Sequence, residues 1–271
     1  MTGMGLFSTL FSHDHGQARP RPDHVTFTLS HASFAYDDGH VGLRDVTVTL
    51  DQRRIAVIGL NGSGKTTLLK LLDGALAPTS GSVTLTVGND TMTPYGRRDR
   101  KRVERLVGRV RREEIPESFY RSESVAKALD ERMRANHIAD GERQARIGSL
   151  LAQLDLSLWR DRPADALDSE HRHLLAVGAA LCADPIVLVA DEPTKGLDEV
   201  STARVARALF TLDRQVVFAT HDTSMITRPE IAIDRAILLD EGRIVFDGTP
   251  QDAVDAYADV IRRHRNRDMA V

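Results

Sequence analysis

The amino-acid sequence predicts an α/β fold: a parallel-sheet core with an N-terminal antiparallel β-subdomain and an inserted α-helical subdomain. Three observations lead there. Apolar and polar residues alternate at Val25, Phe27 and Leu29 and again at Val46, Val48 and Leu50, the period of half-buried antiparallel strands. RIAVIG (54–59), IVLVAD (186–191) and QVVFAT (215–220) are continuous apolar runs next to helical stretches, as buried parallel strands are. Between them, residues 122–183 carry helical patterning, which interrupts the strand–helix alternation.

Taken in order, residues 1–22 mix Gly, Ser, His, Arg and Pro and end in RPRP, so a flexible extension is expected, with GLFSTLF either a frayed tail or a short amphipathic contact. One domain then spans 23–255. After RIAVIG and a Gly-rich turn, KTTLLKLLDG forms a helix that Gly74 ends. A strand lies near 82–87, a basic segment leads into VGRV (107–110), and a helical subdomain covers about 113–183, with Pro163 marking a break. A helix near 199–210, the strand QVVFAT, a strand within IAIDRAILLD (231–240) and a final helix from about 251 follow, and 256–271 form a C-terminal helix and tail.

Composition narrows the function. Of the 271 residues 41% are hydrophobic and 28% charged, enough apolar material for a substantial core. The net charge of −3 provides no global basic field for nucleic acid or an anionic membrane. Between 97 and 112 basic residues are dense against Asp99 and Glu104; they form either a solvated helix face or a docking surface for acidic groups of a membrane partner. With no aromatic interleaving beyond the nearby Tyr95 and an acidic overall balance, no nucleic-acid partner is expected. The lone Cys182, in the apolar AALCA, reads as a buried inert thiol. No window reaches the ~20 apolar residues of a membrane span and MTGMGLFSTLF lacks a secretory signal, so a cytoplasmic chain is expected, touching a membrane only through partners.

Gly59-Leu60-Asn61-Gly62-Ser63-Gly64-Lys65-Thr66 fits G-x-x-x-x-G-K-[ST] between a predicted strand and a predicted helix. Its glycines let backbone N–H groups close around phosphate, helped by the helix dipole. Lys65 would reach the β/γ-phosphates and Thr66 would ligate Mg²⁺. Downstream, Asp191 and Glu192 end an apolar strand, where ligands of a parallel sheet gather. Such a pair is either a helix cap or solvated turn, or, coupled to the phosphate loop, a Mg²⁺ site at Asp191 and a proton acceptor at Glu192.

These segments, with LVADEPTKGLD (188–198) and ATHD (219–222), resemble the ATPase domain of ABC transporters over roughly residues 23–255. The resemblance implies a P-loop NTPase with a RecA-like core that binds ATP and Mg²⁺ and hydrolyses ATP. It implies catalytic roles for Glu192, His221 and Lys65, and metal ligation by Thr66 and Asp191. The nucleotide-binding set it implies is Tyr36, Gly59, Asn61, Gly62, Ser63, Gly64, Lys65, Thr66 and Thr67, with Asp198 in the loop between protomers. Bland readings stand beside these: Tyr36 as a strand aromatic, His221 as a structural histidine, Asp198 as a helix cap. SFAYDDG and LLDEGRIVFDGTP are most similar to ATPases of energy-coupling-factor importers for cobalt, biotin and related micronutrients. The implied partners are integral membrane subunits and a second ABC ATPase chain. The alternatives are a regulatory nucleotide-binding partner with weak hydrolysis and a soluble, non-transport ABC ATPase.

Two departures from the family pattern carry weight. Where the family has LSGGQ, this chain has Leu167-Asp168-Ser169-Glu170-His171, which brings two carboxylates toward a partner's triphosphate unless they turn away. Asp168 is also a good N-cap for the helix that follows. Where the family usually has Gln, Arg112 stands, with Glu113 as a substitute ligand if the register slips; Arg cannot ligate a metal. An intact phosphate loop with a degraded signature predicts a heterodimer rather than a homodimer.

Overall fold

Alternating apolar residues fold back on themselves at the start of the chain in the structure, a computed structural model that describes residues 24–111 and 114–268. Strands β1 (Thr26–Ala35) and β2 (Val41–Leu50) pair antiparallel; β4 (Ser80–Val87) and β5 (Asp90–Met92) complete a sheet of order β2-β1-β4-β5. The second sheet has the order β10-β9-β3-β8-β7-β6. It contains β3 (Arg54–Ile58), β6 (Val107–Arg111), β7 (Val187–Asp191), β8 (Gln215–Thr220) and β9 (Arg235–Asp240), all parallel, and β10 (Arg243–Gly248), antiparallel to β9.

The continuous apolar run of β3 is explained by burial on both faces. Ile55 and Val57 join a cluster with Phe27, Leu50 and Leu68 from the antiparallel sheet and from helix α1 (Lys65–Leu72). Ala56 and Ile58 face the other way, into a cluster with Phe119, Leu129, Leu175 and Phe218. Helix α1 is thus wedged between the two sheets and touches β2 and β4 on one side, β7 and β8 on the other. It stops at Asp73, and Gly74 follows at φ 71°, where a Cβ would lie 2.2 Å from the carbonyl oxygen of Pro94.

The helical elements are α2 (Arg100–Leu106), α3 (Glu117–Tyr120), α4 (Val125–Ala135), α5 (Asp140–Gln153), α6 (Ser169–Leu181), α7 (Glu199–Phe210), α8 (Thr223–Ile226) and α9 (Pro250–Asp268). The stretch 122–183 is more broken than Pro163 alone predicts. His137, at φ 63°, separates α4 from α5, where Arg143 bridges Asp130 at 2.8 Å and Asp140 at 2.5 Å. Two short 3₁₀ turns, Ser157–Trp159 and Ala164–Ala166, occupy the chain before α6. Apolar spacing runs on across these corners because both sides bury into one cluster, so periodicity hides them. Within the basic segment, α2 pairs Arg100 with Glu104 and Arg102 with Asp90, while Arg97, Arg98, Lys101 and Arg105 lie exposed.

The hairpin strand β10 escaped the sequence reading because it is an edge strand, exposed at alternate residues. Helix α9 crosses residue 255 without a break and packs on β9 and β10. Among the described residues no helix is long and apolar enough to cross a membrane. The expected extension at 1–22 lies outside the described residues.

Candidate functional site

The C-terminal ends of β3, β7 and β8 converge, and the site is built there. From β3 the chain turns through glycines held in left-handed conformations, with Gly64 at φ 107°. A Cβ at Gly64 would sit 2.4 Å from the Gly42 carbonyl oxygen, so only glycine lets the loop close onto β2. Gly64 is also the N-cap of α1. No side chain caps that terminus and its first turn carries no acidic residue, so its N–H groups stay free for an anion. Ser63 Oγ is buried under the loop with no hydrogen-bond partner among the described residues.

Lys65 is 6% exposed, and its ammonium donates to the carbonyls of Gly59 at 2.7 Å and Leu60 at 2.9 Å. Burial lowers its pKa; the carboxylates of Glu192 and Asp191 pull the other way, and the charge of Lys195 adds to the lowering.

Asp191 ends β7. Burial pushes its carboxyl above the ordinary value, opposed by a hydrogen bond from Thr66, raised further by Glu192, and opposed again by Lys65 and Arg111. Its Oδ1 is buried without a hydrogen-bond partner. An orphaned carboxylate oxygen beside a hydroxyl is the donor set that suits Mg²⁺, which completes its shell with water and phosphate. No cluster of three or more His, Cys, Asp or Glu side chains that could hold a metal by itself occurs among the described residues.

Glu192 has φ 49°, a left-handed strain of about 1–2 kcal/mol that its surroundings hold. Its N–H donates to Ala219 O at 3.0 Å, and its Oε2 lies 2.7 Å from Nδ1 of His221, just past β8. A turn closed by Lys195 N–H donating to Glu192 O at 3.1 Å leads onward.

Tyr36 follows β1. Its hydroxyl lies 2.8 Å from Thr67 Oγ1, Phe34 packs edge-on against it, and its ring stacks with His40 at 5.9 Å between centroids. The structure therefore gathers Tyr36, Asn61, Gly62, Gly64, Lys65, Thr66, Thr67 and Glu192 around one cleft of about 320 Å³. Gly59 and Ser63 lie beneath the loop, and His221 reaches the cleft through Glu192. Two lining residues were missed, His40 and Lys195. The aromatic at Tyr36 with a histidine four residues on, and the lysine inside DEPTKGLD, were the available signals.

On β6, Arg111 sits in register beside Asp191 and, with Arg109, ion-pairs the 3% exposed Asp73 at the end of α1, at 3.3 and 3.1 Å. Arg112 and Glu113 lie outside the described residues.

The degraded signature occupies the start of α6. Asp168 is its N-cap: Oδ1 accepts the His171 N–H at 2.9 Å and lies 2.6 Å from His171 Nδ1. Glu170 turns away to α7, where its carboxylate accepts from Ser201 Oγ at 2.5 Å and pairs with Arg204 at 3.0 Å. The repulsion expected from Glu170 is thus relieved within the chain, whereas Asp168 stays at the helix terminus. Asp198 caps α7 by accepting the Ser201 N–H at 2.8 Å. Cys182 is buried, which pushes its thiol up to about 12.

A family model described as "ABC transporter" matches residues 43–195. A putative ABC transporter ATP-binding protein of Deinococcus radiodurans is 34% identical over 229 residues, 84% of this chain and 96% of the relative. The cobalt import ATP-binding protein CbiO of Rhodobacter capsulatus is 32% identical over 220 residues, 80% of this chain and 76% of that one. Among solved structures, cbiO1 of Clostridium perfringens, described as part of the ABC transporter complex cbiONQ, superposes with a TM-score of 0.73 at 26% identity, covering 89% of this chain and 94% of that one.

Proposed function

The chain belongs to the ABC transporter ATP-binding family and is an ATPase subunit of that kind, and from this premise we propose that it powers a membrane importer for a micronutrient such as a vitamin or a transition-metal ion. The likeness to a cobalt-import ATPase supports the substrate class. In this reading integral membrane subunits carry the substrate, and the chain sits against them on the inner face of the membrane.

The observation that carries the chemistry is the Glu192–His221 pair, 2.7 Å apart, at the mouth of a cleft floored by an uncapped helix N-terminus. The N–H groups of the 59–66 loop and α1 hold the phosphates, and Lys65 exchanges its two carbonyl partners for phosphate oxygens. Tyr36, braced by Thr67, offers its ring to the adenine. Thr66 and Asp191 would hold Mg²⁺, which would supply positive charge to the phosphate oxygens. Glu192 takes the proton of the attacking water, and His221 fixes the carboxylate that does so. Accordingly Glu192→Gln should leave ATP affinity unchanged and cut turnover by roughly 100-fold or more. Near-normal turnover in that variant, measured as phosphate release, would remove Glu192 from the base role.

The start of α6 supports a heterodimer. In the family each ATP lies between one chain's phosphate loop and the other's signature, and here the signature helix has its terminal N–H engaged by its own Asp168. We propose that a partner ATPase with an intact signature completes the cleft of this chain.

A further inference from the structure

We propose that Lys195 is a second phosphate-binding cation of the cleft, directed at the terminal phosphate of a nucleoside triphosphate. The proposal rests on reading the cleft as the nucleotide site and adds to it a lysine of LVADEPTKGLD to which the resemblance gave no role.

Lys195 closes the four-residue turn that begins at Glu192, and Pro193 and Thr194 between them are buried, so the turn is held by the core. Its side chain lines the same cleft as Lys65, Thr66, Asn61 and Glu192. Of the nearby acids, Glu192 is held by His221, and Asp191 takes a hydrogen bond from Thr66 while its buried Oδ1 has none. The Lys195 ammonium has no hydrogen bond or ion pair among the described residues, and the side chain is exposed. Two ammonium groups therefore line one cleft beside a Glu192 carboxylate already engaged by His221, and an anion relieves their repulsion. The geometry also says which phosphate. Lys65 lies back in the loop on the Gly59 and Leu60 carbonyls, whereas Lys195 shares a turn with the carboxylate placed to activate water, and that water meets the terminal phosphate. Loss of that phosphate would free Lys195, and three residues on the same segment reaches Asp198, the cap of α7.

The test compares affinities of the full chain for a non-hydrolysable ATP analogue and for ADP, by displacement of a fluorescent nucleotide, in the wild type, Lys195→Gln, Lys195→Arg and Lys65→Ala. Lys195→Gln should weaken the triphosphate analogue about tenfold and ADP by less than about twofold, with Lys195→Arg near wild type. An equal loss for both nucleotides, or none for either, would overturn the role of Lys195. A wild type that binds neither nucleotide, or a Lys65→Ala variant that binds both as tightly as wild type, would instead overturn the reading of the cleft, and this inference with it.

Discussion

Two helices in this molecule start where the family brings phosphate, and their first turns are built in opposite ways. Helix α1 begins at Gly64, with no side-chain cap and no acidic residue in its first turn. Helix α6 begins at Asp168, whose carboxylate takes the His171 N–H, and its first turn holds Glu170. Both termini have the same dipole and the same orphaned N–H groups. One leaves them for a ligand and the other satisfies them from its own chain. An anion site at a helix N-terminus thus depends on what is kept out of the first turn as much as on the helix itself, and a strong N-cap closes the site while it stabilises the fold.

The comparison breaks first, and by most, at the open end. Lys65→Ala should lower ATP affinity by roughly 100-fold, because a buried charge-assisted contact is lost at an otherwise unchanged terminus. Unaltered affinity in a direct binding titration would show that the α1 N–H groups alone hold the phosphates.

A smaller effect sharpens the closed end. Asp168→Ala should cost about 1 kcal/mol of stability to chemical denaturation. Burial nudges the Asp168 carboxyl upward, but the His171 backbone N–H and ring outweigh it and hold the carboxyl below its ordinary 3.8. A lowered carboxyl stabilises the folded state fully above the unfolded value and loses that contribution as pH falls through the folded one. The difference between wild type and variant should therefore be constant near neutrality and shrink below pH 3.8. A difference that persists at acid pH would mean that the carboxylate is not the cap.

The open end was legible in the sequence because its backbone demands particular residues at fixed spacing: Gly64 where a Cβ would strike Gly42, Lys65 next to it, Thr66 after that. Asp168 was legible as a cap for the same local reason. The partners of Glu170 were not, since Ser201 and Arg204 lie more than thirty residues away and meet it only when α6 packs on α7. A charge that looked repulsive on the linear chain is an internal ion pair in the fold. Lys195 was hidden likewise, being about 130 residues from Lys65 and brought beside it only by the pairing of β7 with β8 and of β8 with β3. The corner at His137 and the edge strand β10 were missed because apolar periodicity reports burial and says little about where the backbone turns.

The contrast between the two termini is tested most directly by steady-state ATP turnover of the chain on its own, set beside a variant with Asp168→Ser, Ser169→Gly and Glu170→Gly. On the proposed heterodimer, two copies of this chain, each with its α6 terminus plugged, should form poor composite sites. Turnover of the wild-type chain alone should therefore be low, and unplugging the terminus should raise it by roughly tenfold or more. High turnover by the isolated wild-type chain, unchanged in the variant, would contradict the account, since the closed terminus would then have no bearing on catalysis and no partner with an intact signature would be needed.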